Sequence, residues 1–326
     1  MKEPGHLLDH ASKRVLKLSV LLLLTLQNTA LVLVTKYSYR TAATMYYVST
    51  VIACSECLKL IVSFVLIVFC DGRAAAKTAI REIPASVAHL SLPAVLYVVQ
   101  NTLLFDAVKL LNPMVYTACS QSKILTSAFF GVVMLKSRIT KKQLLSLCAL
   151  VLGMILVQSE YTTHGDKNTD SGTSLRGLVF AFTASITSGF AGTYLEKMYK
   201  TINSDGSRQS IWFRNAQLAS FSLPIAICTA YWRDGTIICR NGIFTGYDGF
   251  VVVIIVLQAI GGLISAAVMR YATNVLKCFA VSLSICSCAL ATTYVFDDGH
   301  TGLSVHQYTG ILLVIGATFT FAAKKT

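Results

Sequence analysis

Charge is what this sequence is short of. Only 13% of its 326 residues are Asp, Glu, Lys or Arg, against 54% hydrophobic, and its mean hydropathy is +0.63. A soluble domain carries about a quarter of its residues as charges, so a soluble fold is excluded and a polytopic membrane protein is implied.

Catalytic signatures are missing as well. There is no G-x-x-x-x-G-K-[ST] loop and no H-E-x-x-H pair, which argues against ATP-driven transport and intramembrane metalloproteolysis. His6, His10, His89, His164, His300 and His306 are too scattered to share a metal, so no enzyme, metal site or cofactor is expected. The first apolar run is too long for a removable signal peptide and lacks a small-residue cleavage site after it, so it is expected to stay as a membrane helix. Most of the ten cysteines lie inside apolar runs, where a thiol is a small hydrophobe. Cys54-x-x-Cys57 has a metal-like spacing but no second pair or nearby histidine, which favours a structural reading.

What the sequence does have is apolar runs long enough to cross about 30 Å of hydrocarbon as helices. They cover residues 17–35, 46–69, 87–108, 113–135, 144–158, 175–194, 211–231, 250–269, 276–296 and 307–323, joined by short polar links. The expected fold is therefore an all-α membrane protein of ten transmembrane helices.

Lys and Arg in the links set the orientation, because basic loops stay cytosolic. With both termini cytosolic, that side collects most of them, including Lys13, Arg14, Arg73, Lys77, Arg81, Lys136, Arg138, Lys141 and Lys142. The link "TTHGDKNTD" then faces the opposite side. The net charge of +13 is thus chiefly a topology signal, and its scattering over loops argues against a nucleic-acid partner.

A polar stretch near the midpoint suggests two five-helix repeats, residues 1–160 and 161–326. A weak echo supports them: Gln143 and Gln307 each precede an apolar run with an internal glycine. An odd number of helices per half makes the repeats inverted, which places a central site between them.

Polar residues inside the runs are the candidate site. Lys123 has about ten residues of run on either side, too many for easy snorkelling, so its ammonium should face protein or water. At helical spacing Tyr116, Cys119, Ser120, Lys123, Thr126 and Ser127 share a side, leaving Ile124, Leu125, Phe129 and Val132 for packing or lipid. Tyr97, Gln100 and Asn101 cluster in the third run, where amides either bridge helices or line a site. In the sixth run Ser185, Ser188, Gly192 and Glu196 fall on one face beside Gly189, a pattern suited equally to close helix packing and to approach of a flat ligand. Gly261, Gly262 and Ser265 lie in the eighth run, and Lys277, Ser284 and Ser287 share a side of the ninth. Glu56 and Lys59, three apart, read first as a structural or gating ion pair. Arg214 and Asn215 stand near the cytosolic edge as anchor or gate. A cavity rich in cationic and neutral polar groups, with Tyr97 and Tyr116 for stacking, suits a phosphorylated ligand with an aromatic base.

The stretches "ECLKL", "YVVQN", "VYTACSQSKI", "SGFAGTYLEK", "WFRNAQ", "GGL" and "NVLK", in this order over nearly the whole chain, resemble the nucleotide-sugar transporters of the drug/metabolite transporter superfamily. The branch in question carries CMP-sialic acid, UDP-galactose and UDP-N-acetylglucosamine. The resemblance implies the drug/metabolite transporter fold, a Golgi membrane location, and exchange of cytosolic nucleotide sugar for lumenal nucleoside monophosphate. It implies that Lys123 and Lys277 bind phosphate or nearby anionic groups, while Tyr97, Gln100, Asn101, Ser188, Gly189, Gly192 and Asn215 shape the nucleotide pocket. Ser120 stands where many members of the branch have tyrosine, and Ala219 where an aromatic is common. The preferred cargo is expected to be CMP-sialic acid or another CMP-linked acidic sugar exchanged for CMP, with a UDP-sugar exchanged for UMP as the alternative. A non-transporting membrane scaffold is the alternative of a different class.

Overall fold

A computed structural model of the protein describes residues 4–41, 46–82, 87–111, 113–158, 175–201, 210–295 and 303–322. Among these residues every regular element is an α-helix: α1 (Pro4–Thr41), α2 (Val48–Cys70), α3 (Arg73–Glu82), α4 (Val87–Leu110), α5 (Pro113–Gln121), α6 (Lys123–Leu135), α7 (Lys141–Gln158), α8 (Leu175–Lys200), α9 (Ile211–Asn241), α10 (Gly249–Tyr271), α11 (Asn274–Val295) and α12 (Val305–Ala322). Among the described residues, each expected span is occupied mostly by helix. Eight segments among the described residues are long and apolar enough to cross a membrane by length and composition, as a polytopic membrane protein requires. The link "TTHGDKNTD" lies outside the described residues.

Two features depart from the expected pattern. The short helix α3 is too charged to register as an apolar run. It forms because Ala75, Ala76 and Ala79 pack beside Ile67, Phe213 and Ala216, while Arg73, Lys77 and Arg81, four apart, keep to another side.

The second departure is a break in the expected run 113–135, between α5 and α6 at Ser122. Ser120 Oγ donates to the Thr117 carbonyl at 2.9 Å and Ser122 Oγ to the Cys119 carbonyl at 2.6 Å. Hydroxyls bonded back to the preceding turn compete with the helical ladder. The Ser122 N–H itself bonds three residues back, to the Cys119 carbonyl at 3.1 Å, a locally tightened turn.

Packing divides the chain into two compact units, Met1–Ala94 with Met198–Thr273, and Val95–Lys197 with Asn274–Thr326. Each unit draws on both halves of the chain. In the first, α1 packs on α10 and α2 on α9, around Tyr46, Val51, Val251 and Ile254 and around the cluster under α3. In the second, α6 packs on α11 and α7 on α12, around a core that includes Ile124, Leu147, Leu150, Met154, Phe279, Ile311 and Val314.

α7 and α12 pack closely through glycines. A Cβ on Gly153 would lie 2.9 Å from the Gly310 carbonyl oxygen, and one on Gly310 would lie 2.7 Å from that of Gly153. Both helices also start alike. Thr140 N–H donates to Gln143 Oε1 (3.0 Å) and Gln143 N–H to Thr140 Oγ1 (3.3 Å). Ser304 and Gln307 repeat the exchange at 3.2 and 3.3 Å. These are reciprocal capping boxes that satisfy donors left open at a helix start.

Candidate functional site

The second unit contains a cavity of about 180 Å³ lined by Gln121, Lys123, Ile124, Ser127, Ser188, Gly192, Asn274, Lys277, Cys278, Val281, Ser282 and Ile285. Its walls explain how a lysine comes to stand there. The break at Ser122 makes Lys123 the first residue of α6, and α11 begins at Asn274. The first turns of two helices, each bearing a lysine, therefore open on one cavity. Two ammonium groups thus come to one cavity from two different helices. No carboxylate lines the cavity, and Lys123 has no ion pair among the described residues. Two cationic side chains around one cavity favour a negatively charged occupant by simple electrostatics.

α8 forms another wall and ties the break down. Ser185 Oγ donates to the Cys119 carbonyl at 3.1 Å, and Thr126 Oγ1 donates to the Ser185 carbonyl at 2.8 Å. Contacts this close depend on Gly189, where a Cβ would come within 2.4 Å of Thr126 Oγ1 and 2.8 Å of the Ser127 backbone nitrogen. Asn274, 6% exposed, donates through Nδ2 to Ser127 Oγ at 3.1 Å, and its own N–H donates to Glu196 Oε2 at 2.6 Å.

Of the residues expected from sequence, the cavity gathers Lys123, Lys277, Ser188 and Gly192. Gly189 is occupied by helix packing, one of the two readings open for it. Gly192 faces the Asn274 amide, 2.5 Å from a would-be Cβ. Ser120 is half-buried with its hydroxyl bonded to Thr117. Tyr116 is half-buried beside Ala107, Leu111 and Ala181. Gln100 is half-buried, and its Oε1 finds no partner among the described residues. The side chains of Tyr97 and Asn101 lie outside the described residues.

The other expected residues belong to the first unit. Glu56 and Lys59 form the expected ion pair, Lys59 Nζ donating to Glu56 Oε1 at 2.7 Å, and Ser222 Oγ donates to the second carboxylate oxygen. Gly262 accommodates the Lys59 stem, whose Cδ is 2.7 Å from a would-be Cβ, and Gly261 accommodates Gln27. Asn215, 2% exposed, accepts the Tyr199 hydroxyl at 2.9 Å, and its Nδ2 is without a partner among the described residues. Ser265 is half-buried on α10.

Ile124, assigned to packing or lipid, is packed: it is 1% exposed in the core and also lines the cavity. One reading of a face needs correction. On α11 the cavity stripe is Lys277, Val281 and Ile285 with Cys278 and Ser282, while Ser284 is buried with its hydroxyl bonded to the Val281 carbonyl. Asn274, Gln121 and Ser282 were missed. Asn274 stands three residues before Lys277, where a polar residue opening a helix signals only a terminus.

The sequence profile described as Nucleotide-sugar transporter matches residues 12–322. The chain is 36% identical to the UDP-N-acetylglucosamine transporter of Bos taurus, over 92% of this chain and 93% of that one. It is 37% identical to the UDP-N-acetylglucosamine/UDP-N-acetylgalactosamine transporter nstp-4 of Caenorhabditis elegans (94% and 93% covered). It is 32% identical to the UDP-galactose translocator of Canis lupus familiaris (99% and 80% covered). A solved crystal structure shares the fold at TM-score 0.66 and 10% identity, covering 95% of this chain and 97% of that one. These relatives are named for UDP-sugars and not for CMP-sialic acid. By the extent of the profile and the identity to transporters, not enzymes, the chain belongs to the nucleotide-sugar transporter family.

Proposed function

We propose that this protein is an antiporter that carries a UDP-linked sugar, UDP-N-acetylglucosamine first, across the Golgi membrane in exchange for UMP. One observation carries the reading: Lys123 and Lys277, each in the first turn of a helix, line one cavity without a carboxylate. The cavity is smaller than the ~300–1,000 Å³ usual for whole small-molecule ligands, so it suits the phosphate end of the nucleotide. The names of the relatives supply the uridine.

Ten spans in two inverted repeats, with both termini cytosolic, complete the reading. Inversion is supported by equivalent helices meeting within the units: the second span of each half (α2 with α9), the fourth (α6 with α11) and the fifth (α7 with α12). An antiparallel course of the two fifth spans, α7 and α12, is what a five-helix inverted repeat demands.

Exchange follows from the cost of an empty carrier. An uncompensated buried charge costs several kcal/mol, and about 2.7 kcal/mol slows a step about a hundredfold, so return without an anion beside Lys123 is the slow step. Two measurements test this. A ligand that binds only the folded state raises its stability, so UMP should raise the melting temperature of the purified protein more than CMP, GMP or AMP. Vesicles preloaded with UMP should take up labelled UDP-N-acetylglucosamine far faster than empty ones. Equal initial rates would sink the exchange mechanism, and a CMP-selective shift would restore the CMP-linked cargo.

A further inference from the structure

We infer that Glu196 is a positioning residue for substrate, holding the start of α11 so that Lys277 faces the cavity; this rests on the phosphate-binding reading above. Glu196 lies near the end of α8, 4% exposed, and is not among the residues that line the cavity. Its carboxylate accepts the N–H of Asn274 at 2.6 Å, the first residue of α11. The open N–H groups at a helix start are usually capped by the residue just before it. Here an acceptor comes from a different helix and brings a full negative charge to the positive end of α11, where it is favourable.

The same residue is held a second time. Asn274 Nδ2 donates to Ser127 Oγ on α6 at 3.1 Å, and Gly192 on α8 leaves the space its amide fills. Three helices thus meet in one buried joint that forms part of the cavity wall, and Lys277 follows three residues on, close to one helical turn away. A carboxylate in the open cavity would repel phosphate. Placed behind Asn274, it orients the lysine from the far side.

The role is separated from a general structural one by what is lost. UMP depends on the lysine, and uridine, lacking phosphate, does not. In purified full-length protein, Glu196→Ala should weaken UMP binding at least tenfold by calorimetry, the order expected for a charge-assisted hydrogen bond. Uridine, read as a competitor against UMP, should change less than about twofold. Glu196→Gln should bind UMP within about threefold of wild type, because the amide oxygen accepts the same N–H. In a Lys277→Ala background, Glu196→Ala should cost UMP less than about twofold, since coupled residues are non-additive.

Equal losses of UMP and uridine, or an undiminished effect of Glu196→Ala without Lys277, would overturn the inference while leaving the transport reading intact. Should Glu196→Ala fail to fold, Glu196→Asp keeps the charge and draws the oxygen back from Asn274. A loss of UMP affinity of about threefold or more with uridine unchanged supports positioning, and equal or absent losses overturn it. Wild-type protein that binds no UMP overturns the proposed function and this inference together.

Discussion

Lys59 and Lys123 both stand inside apolar segments of this chain, and their surroundings are opposite. Lys59, in the first unit, is 9% exposed and carries its counter-charge with it: Glu56 one turn away, a serine on the far carboxylate oxygen and a glycine beside its stem. Lys123, in the second, is half-buried, opens on a cavity and has no ion pair among the described residues. The contrast shows that a lysine in a membrane helix is not itself a sign of binding. What matters is whether its counter-ion is part of the fold or must arrive from outside.

The largest expected effect breaks the comparison on the Lys123 side. Lys123→Ala should lower exchange in vesicles by about a hundredfold or more, the rate equivalent of roughly 3 kcal/mol, with little change in melting temperature. Near-normal uptake would make the two lysines equivalent after all.

On the Lys59 side the loss should appear in stability. Glu56→Gln leaves a buried ammonium uncompensated and should destabilise the protein by about 3–5 kcal/mol, whereas Glu56→Gln with Lys59→Met should recover most of it. Thermal unfolding in detergent reads both, and a double variant no better than the single one would contradict the pairing.

The glycines beside the lysines sharpen the contrast further. At Gly189 an added methyl meets Thr126 and the Ser127 backbone, whereas at Gly262 its nearest neighbour is the flexible Lys59 stem. Gly189→Ala should therefore cost about 1–3 kcal/mol, and Gly262→Ala less than about 1. The reverse order in thermal unfolding would show that the rigid and yielding neighbours are misassigned.

The smallest effect is a control in the first unit. The Tyr247 hydroxyl donates to Thr50 Oγ1 at 3.1 Å, so Tyr247→Phe should cost about 1 kcal/mol and leave exchange unchanged. Burial raises this phenol above its usual range, so its loss should leave the pH profile of exchange unaltered near neutrality.

Helical spans were legible because hydropathy is a sum over about twenty residues and tolerates local irregularity. The Glu56–Lys59 pair was legible because both partners lie on one helix at a fixed spacing. The break at Ser122 was not, since it depends on which way short hydroxyls bond, and an apolar average is blind to that. Lys123 stood out by charge alone, but Asn274 and Glu196 acquire meaning only when α6, α8 and α11 meet. Glycines were the least decidable: Gly189 and Gly261 read alike in sequence, yet one receives a backbone turn and the other the Gln27 amide.

The backbone contact between Gly153 and Gly310 bears on how such a protein could move. With carbonyl oxygens where side chains would otherwise intervene, α7 and α12 have no compressible layer between them, and sliding by one residue would drive Val157 or Val314 into a space sized for hydrogen. The pair is a strut, so any change in accessibility during a transport cycle must be absorbed at other helix contacts. Spin labels on the outward faces of α7 and α12, at Leu145 and Leu312, should keep one narrow distance distribution whether the protein is empty or loaded.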